Sequence, residues 1–242
     1  MQFFILVLLI CLFVFLYCVY LLARDDFIFL RRDVTMEKLF NIIFLGSLFC
    51  FFFSRLFYGF FEEKSILSNP FVFLLFPYFP GLSLLGGVVG AGAVISFLAG
   101  RKKDSLPLGR IADFFSISFL ITLPIGFLGY FMFSENGFPI QRTASLIIIY
   151  FILFIIFLRF LLPRLLSDKL KEGTIAFLFL MSFSVISLIN NFVSQEGKLF
   201  NFKIIPENII LLIVFIVAIV FFVKQENLIE KIKKFRKKQV QS

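Results

Sequence analysis

PGLSLLGGVVGAGAVISFLAGRKKD, residues 80–104, is apolar enough to be buried, yet it carries six glycines, two of them adjacent, and ends on three cations. In water a glycine inside a helix costs about 0.8–1 kcal/mol relative to alanine, so six in one segment need a physical reason. Lipid supplies one. No hydrophobic force drives helices together in hydrocarbon, and small residues that let two backbones approach do that work instead. Gly86 and Gly90, and then Gly92, Ser96 and Gly100, recur at four-residue spacing and mark helix faces. The stretch therefore predicts a membrane-crossing helix at the tightly packed centre of a helical bundle, with Arg101-Lys102-Lys103 as its stop.

The rest of the chain agrees with that solvent. Of 242 residues 60% are hydrophobic and 16% charged, and a mean hydropathy of +1.02 is more than one water-soluble core could hide. Apolar runs long enough to cross about 30 Å of hydrocarbon fall near residues 2–22, 39–61, 81–100, 111–133, 145–162, 174–193 and 207–223. The expected fold class is all-α, a polytopic membrane protein of seven transmembrane helices. Residues 1–223 form one membrane domain, and 224–242 a basic amphipathic tail in which Leu228, Ile232 and Phe235 share a face among lysines.

Lys and Arg set the orientation, because cytoplasmic loops keep their cations. With the N-terminus outside, nineteen of the 24 cations fall on cytoplasmic segments and four on outer ones: Lys64, Arg142, Lys198 and Lys203. The remaining one, Arg55, lies inside the second span. The expected topology is N-terminus out and C-terminus in, and the net charge of +9 is accounted for without nucleic acid. The first span has no basic residue before it and reads as a retained helix. The proline-broken apolar segment NPFVFLLFPYFP, residues 69–80, is expected to lie in the outer interface.

Residues able to carry chemistry are few. The chain has no histidine, which removes the commonest general base and the commonest metal ligand. Cys11, Cys18 and Cys50 fall inside spans and read as small apolar packers. No metal site, cofactor or catalytic residue is expected. Arg55 is the exception, since a cation at bilayer depth is by default a functional candidate, able to hold a lipid phosphate. Asp113 near Arg110 reads as a helix-end charge or ion pair. Asn190 and Asn191, being adjacent, are expected to face different sides, with at most one turned into the bundle.

Several ordered motifs together resemble the prolipoprotein diacylglyceryl transferase family. Gly81-Leu82-Ser83-Leu84-Leu85-Gly86-Gly87, then a small-rich helix, RKK and Ala112-Asp113, is similar to that family's G-M/L-S-F-H-G-G region. Ser54-Arg55-Leu56-Phe57-Tyr58 resembles its A-R-L-x-Y, and Asn69-Pro70 its interfacial N-P. Pro124-Ile125-Gly126, the stretch from Gly129 to Gly137, and Pro139-Ile140-Gln141 resemble P-x-G-L, G-R-x-G-N-x-x-N-G and H-P-x-Q.

The resemblance implies a bacterial plasma-membrane protein on the scaffold of a transferase that moves diacylglyceryl from phosphatidylglycerol to a lipoprotein cysteine. It also marks departures. The family's histidine is Leu85 here, its signature arginine Tyr130 and a nearby asparagine Phe133, while Asn136 and Gly137 stay. In the sixth span Y-G-x-x-R-F-x-x-E-F-x-R falls on Phe183, Ser184, Ser187, Leu188, Asn191, Phe192 and Ser194, every charge replaced by a neutral group. The resemblance thus implies a scaffold kept and a reaction lost, with phospholipid, phosphatidylglycerol first, or a lipoprotein signal helix as partner. Arg55, Tyr58, Ser83, Gly86, Gly87, Tyr130 and Asn136 are the candidate lipid-binding residues. A transferase with a rearranged site and a small transporter or channel are the competing readings.

Overall fold

The computed structural model describes residues 2–74, 81–100, 106–133, 140–193 and 206–226, and every regular element within them is helical. The order is α1 (Gln2–Arg24), α2 (Phe27–Arg31), α3 (Met36–Phe61), α4 (Ser65–Ser68), α5 (Pro70–Leu74), α6 (Leu84–Gly100), α7 (Leu108–Phe133), α8 (Ile140–Ile156), α9 (Leu162–Leu166), α10 (Thr174–Val193) and α11 (Pro206–Gln225). A π-helical turn, Phe157–Leu161, joins α8 to α9 without a break. It stands just before Pro163, which has no N–H to return to the preceding turn, and the Leu162 N–H reaches five residues back to the Phe157 carbonyl.

Each of the seven expected spans is a helix. Six of them are long and apolar enough to cross a membrane; α6, with 17 residues, is shorter. It rises only about 26 Å. Large apolar side chains such as Phe13, Leu48, Met132 and Val220 cover the outside of the bundle. These are the features of a multi-pass membrane protein. The segment expected in the outer interface is helical through α5; residues 75–80, residues 101–105 with their three cations and the tail from 227 lie outside the described residues. α11 runs past the expected domain boundary at 223, and Glu226 beyond it is buried.

The packing centre is not the glycine-rich helix. It is α7, whose apolar stretch is 56% buried against at most 28% for the other five long helices. α7 packs on α1, α8 and α10, and α10 in turn on α11, whereas α6 packs chiefly against α3. The glycines explain why. A Cβ on Gly86 would stand 2.5 Å from the Phe53 carbonyl oxygen, and one on Gly90 2.6 Å from that of Phe49, so these two hold α6 against the α3 backbone. A Cβ on Gly92 would meet nothing within 4 Å, and Gly92 and Ser96 are exposed. Of the two small-residue faces only the first is a helix contact.

One end of the bundle is tied by buried charge. Asp26 caps α2 by accepting from the Ile28 and Phe29 N–H groups, and its other oxygen takes Nε and Nη2 of Arg110 at 3.1 and 2.8 Å. Arg110 Nη1 donates to the Leu165 carbonyl at 3.0 Å, so one ion pair links α2, α7 and α9. Asp113 makes no pair with Arg110. Its two oxygens accept from the Gly173 and Ala176 N–H groups at 2.7 and 2.8 Å, capping α10. Glu226 accepts from the Lys171 N–H and Thr174 Oγ1. Buried charges are tolerated when paired and hydrogen-bonded, and each of these has several partners.

Candidate functional site

The candidate residues of the second and third spans come together where α3 meets the loop that enters α6. Ser54 Oγ donates to the Ser83 carbonyl at 2.6 Å, the Ser83 N–H returns to the Ser54 carbonyl at 3.0 Å, and the Gly86 N–H reaches Ser83 Oγ at 3.3 Å. The Tyr58 ring lies where a side chain at residue 81 would stand, and residue 81 has φ +154°, so glycine is needed there for space and conformation alike. Gly87 faces Cys50 Sγ across the same seam. Arg55 is fully buried, its Nη1 donating to the Gly81 carbonyl at 2.8 Å and its Nη2 to the Val72 carbonyl at 3.1 Å. The guanidinium therefore ties α5 and the 81–83 turn to α3, with only Nε unpartnered. The Tyr130 side chain and Asn136 lie outside the described residues.

A second polar group lies deeper, at the same end of the bundle and opposite the Asp26 end. A cavity of about 130 Å³ opens between the first turn of α6, the last third of α7, the middle of α8, α10 from Phe183 onward and the first turn of α11. Its polar lining is Tyr150, Ser187, Asn190, Asn191 and Glu207, and Leu85, Phe127 and Phe183 are among its apolar walls. Pro124 sits inside α7 one turn before Phe127 and removes a ladder hydrogen bond there. Phe127 stacks on Tyr150 with ring centres 5.8 Å apart, and Ser187 lines the same cavity.

Both asparagines turn to partners. Asn190 Oδ1 and its carbonyl accept from Arg142 Nε and Nη2 at 2.8 and 2.7 Å, and Asn191 Nδ2 donates to Asn208 Oδ1 at 2.9 Å. The expectation that at most one of them faces the bundle is corrected by the neighbours of α10. With α7 and α11 packed on it and Arg142 of α8 in reach, adjacent residues both find protein. Close to this end, desolvation and then the Glu207 carboxylate hold the Glu62 carboxyl above its ordinary range. Two acidic groups thus share one region.

Sequence reasoning missed Tyr150 and Glu207 as lining residues. Each reads locally as an ordinary residue of an apolar helix, and only tertiary packing joins them. Among the described residues no three His, Cys, Asp or Glu side chains gather where one metal ion could reach them. Leu85, Phe183, Ser187 and Asn191, four of the positions expected from sequence to depart from the family motifs, line this cavity. Comparison with protein-family profiles and with curated proteins gives no match to this chain.

Proposed function

We propose that the chain is a phospholipid-binding membrane protein on the scaffold of the prolipoprotein diacylglyceryl transferases, crossing the membrane seven times with its N-terminus outside, and that it does not catalyse the transfer. The observation that carries this reading is the convergence of Leu85, Phe183, Ser187 and Asn191 on one cavity. Phe183, Ser187 and Asn191 share one face of α10 by their four-residue spacing, and Leu85 of α6, far from them in sequence, meets that face around the same space. In that space the family's histidine, arginine and glutamate are replaced by an aliphatic side chain, a hydroxyl and an amide. A base to make thiolate and cations to hold a glycerol phosphate are what the transfer needs, and losing each would cost several kcal/mol of transition-state stabilisation in a dry site.

Arg55 supports the scaffold in this reading more than it supports a ligand, since two of its donor groups are bound to backbone carbonyls. The topology rests on the nineteen-to-four distribution of cations and on α6 as a short seventh crossing. The resemblance names the ligands to try first, phosphatidylglycerol and a lipoprotein signal helix.

The test is a purified preparation of the full chain in detergent, incubated with phosphatidylglycerol and a lipobox peptide, with native mass spectrometry of the same preparation. No diacylglyceryl thioether and a retained phospholipid are expected. Detectable turnover sinks the non-catalytic reading, and a preparation free of phospholipid sinks the binding one.

A further inference from the structure

If the cavity is a lipid site, its lining says what part of a lipid it takes. Among the described residues that line it, Glu207 alone carries a charge, and that charge is negative. Phe127, Tyr150 and Phe183 present aromatic rings to the same space, and an aromatic face attracts a cation through its quadrupole. Asn191 has committed its amide nitrogen to Asn208, which leaves its own oxygen as an acceptor. Arg142, which reaches the lining residue Asn190, is turned onto it through Nε and Nη2. A carboxylate, amide and hydroxyl oxygens and aromatic walls, with no lysine or arginine among the described lining residues, make a poor place for a phosphate and a good one for an ammonium group.

From this juxtaposition we infer that the cavity between α7, α8, α10 and α11 binds a small organic ammonium group, with Glu207 as its counter-ion and Phe127, Tyr150 and Phe183 as its walls. The inference rests on the phospholipid reading above and narrows it. About 130 Å³ accommodates a group of a few heavy atoms. An ethanolamine head group and a free alkylamine both satisfy that chemistry. They differ in whether the amine arrives on a lipid.

The experiment uses the full chain in nanodiscs of equal phosphatidylethanolamine and phosphatidylglycerol, from which it is released for native mass spectrometry. Enrichment of phosphatidylethanolamine on the protein is expected, falling about tenfold in Glu207→Gln and by a smaller factor in Phe127→Leu, as removal of an ion pair and of one cation–π face predicts. In nanodiscs of phosphatidylglycerol alone, millimolar ethanolamine is added and the unfolding temperature followed. A rise seen in the wild type and absent from Glu207→Gln identifies a free amine as ligand. Lipid enrichment without that rise identifies the head group.

Circular dichroism and size exclusion certify each variant as folded, and Phe127→Leu carries the test if Glu207→Gln fails to fold. Enrichment of phosphatidylglycerol that both variants leave unchanged overturns the ammonium inference while sparing the phospholipid reading. Retention of neither lipid, with no response to ethanolamine, overturns both.

Discussion

The network at the Asp26 end of this bundle and the cavity near the other end handle polar groups in opposite ways. At the Asp26 end Asp26, Arg110, Asp113 and Glu226 are closed off, each with two or more hydrogen bonds, most of them to backbone. At the other end Tyr150, Ser187, Asn190, Asn191 and Glu207 surround a space instead of filling it. A fully satisfied network is a latch: it fixes one arrangement of α2, α7, α9 and α10 and offers nothing to a ligand. A cavity with convergent polar groups has interaction capacity left over. The difference separates the part of the protein that holds the fold from the part able to recognise something.

That contrast is most easily broken at the latch. Removing one partner of a buried ion pair costs about 3–5 kcal/mol, because the other is left charged and alone. Arg110→Ala is expected to strip the chain of its folded, monodisperse form in detergent, as judged by size exclusion and thermal unfolding. Asp113→Ala removes the cap on α10 and should cost about 1–2 kcal/mol in the same unfolding measurement.

The glycine seam gives a graded test of intermediate size. Gly90→Leu must push α6 away from the Phe49 carbonyl and is expected to lose about 1–3 kcal/mol or more, while Gly92→Leu, pointing into open space, should change stability by less than about 0.5 kcal/mol. Equal tolerance at the two positions would remove the α3–α6 contact from this account. At the cavity the effects on stability should be the smallest. Asn191→Ala loses one interhelical hydrogen bond to Asn208, which in a membrane protein averages about 0.6 kcal/mol, measured as the shift in unfolding midpoint.

How much of this could be read from the chain depends on which forces leave a local trace. Apolar length does, and each of the seven expected spans is a helix. Four-residue spacing of small residues does so only in part: Gly86 and Gly90 lie on α3, but the equally regular Gly92 and Ser96 face outward, because the pattern marks a face able to pack and not one that has a partner. The centrality of α7 has a trace only in its polar residues: Arg110, Asp113, Ser116, Ser118 and Thr122 are all buried, and its mean hydropathy of 1.9 is below the 2.7 of α11, but which helices would cover them depends on the fold.

The candidate site was legible to the extent that motif carried it. Arg55 stood out as a charge at depth, but that it would bond the Gly81 and Val72 carbonyls depends on where α5 and the turn before α6 come to rest. Leu85, Ser187 and Asn191 were singled out by resemblance, and their meeting needed the fold. Glu207 carried no mark, being one acid at the start of an apolar helix, where acids are common for reasons of helix polarity.

The central claim, that one end latches the fold while the cavity at the other holds a ligand, is tested most directly by filling the cavity. Leu146 lines it and is half-buried, so Leu146→Trp can occupy the space without touching the Asp26 end. The measurement is the phospholipid content of the purified variant beside its unfolding temperature. Bound lipid is expected to fall to the background of the detergent while the unfolding temperature stays within a few degrees of the unsubstituted chain. Lipid content equal to that of the unsubstituted chain, in a folded variant, would contradict it.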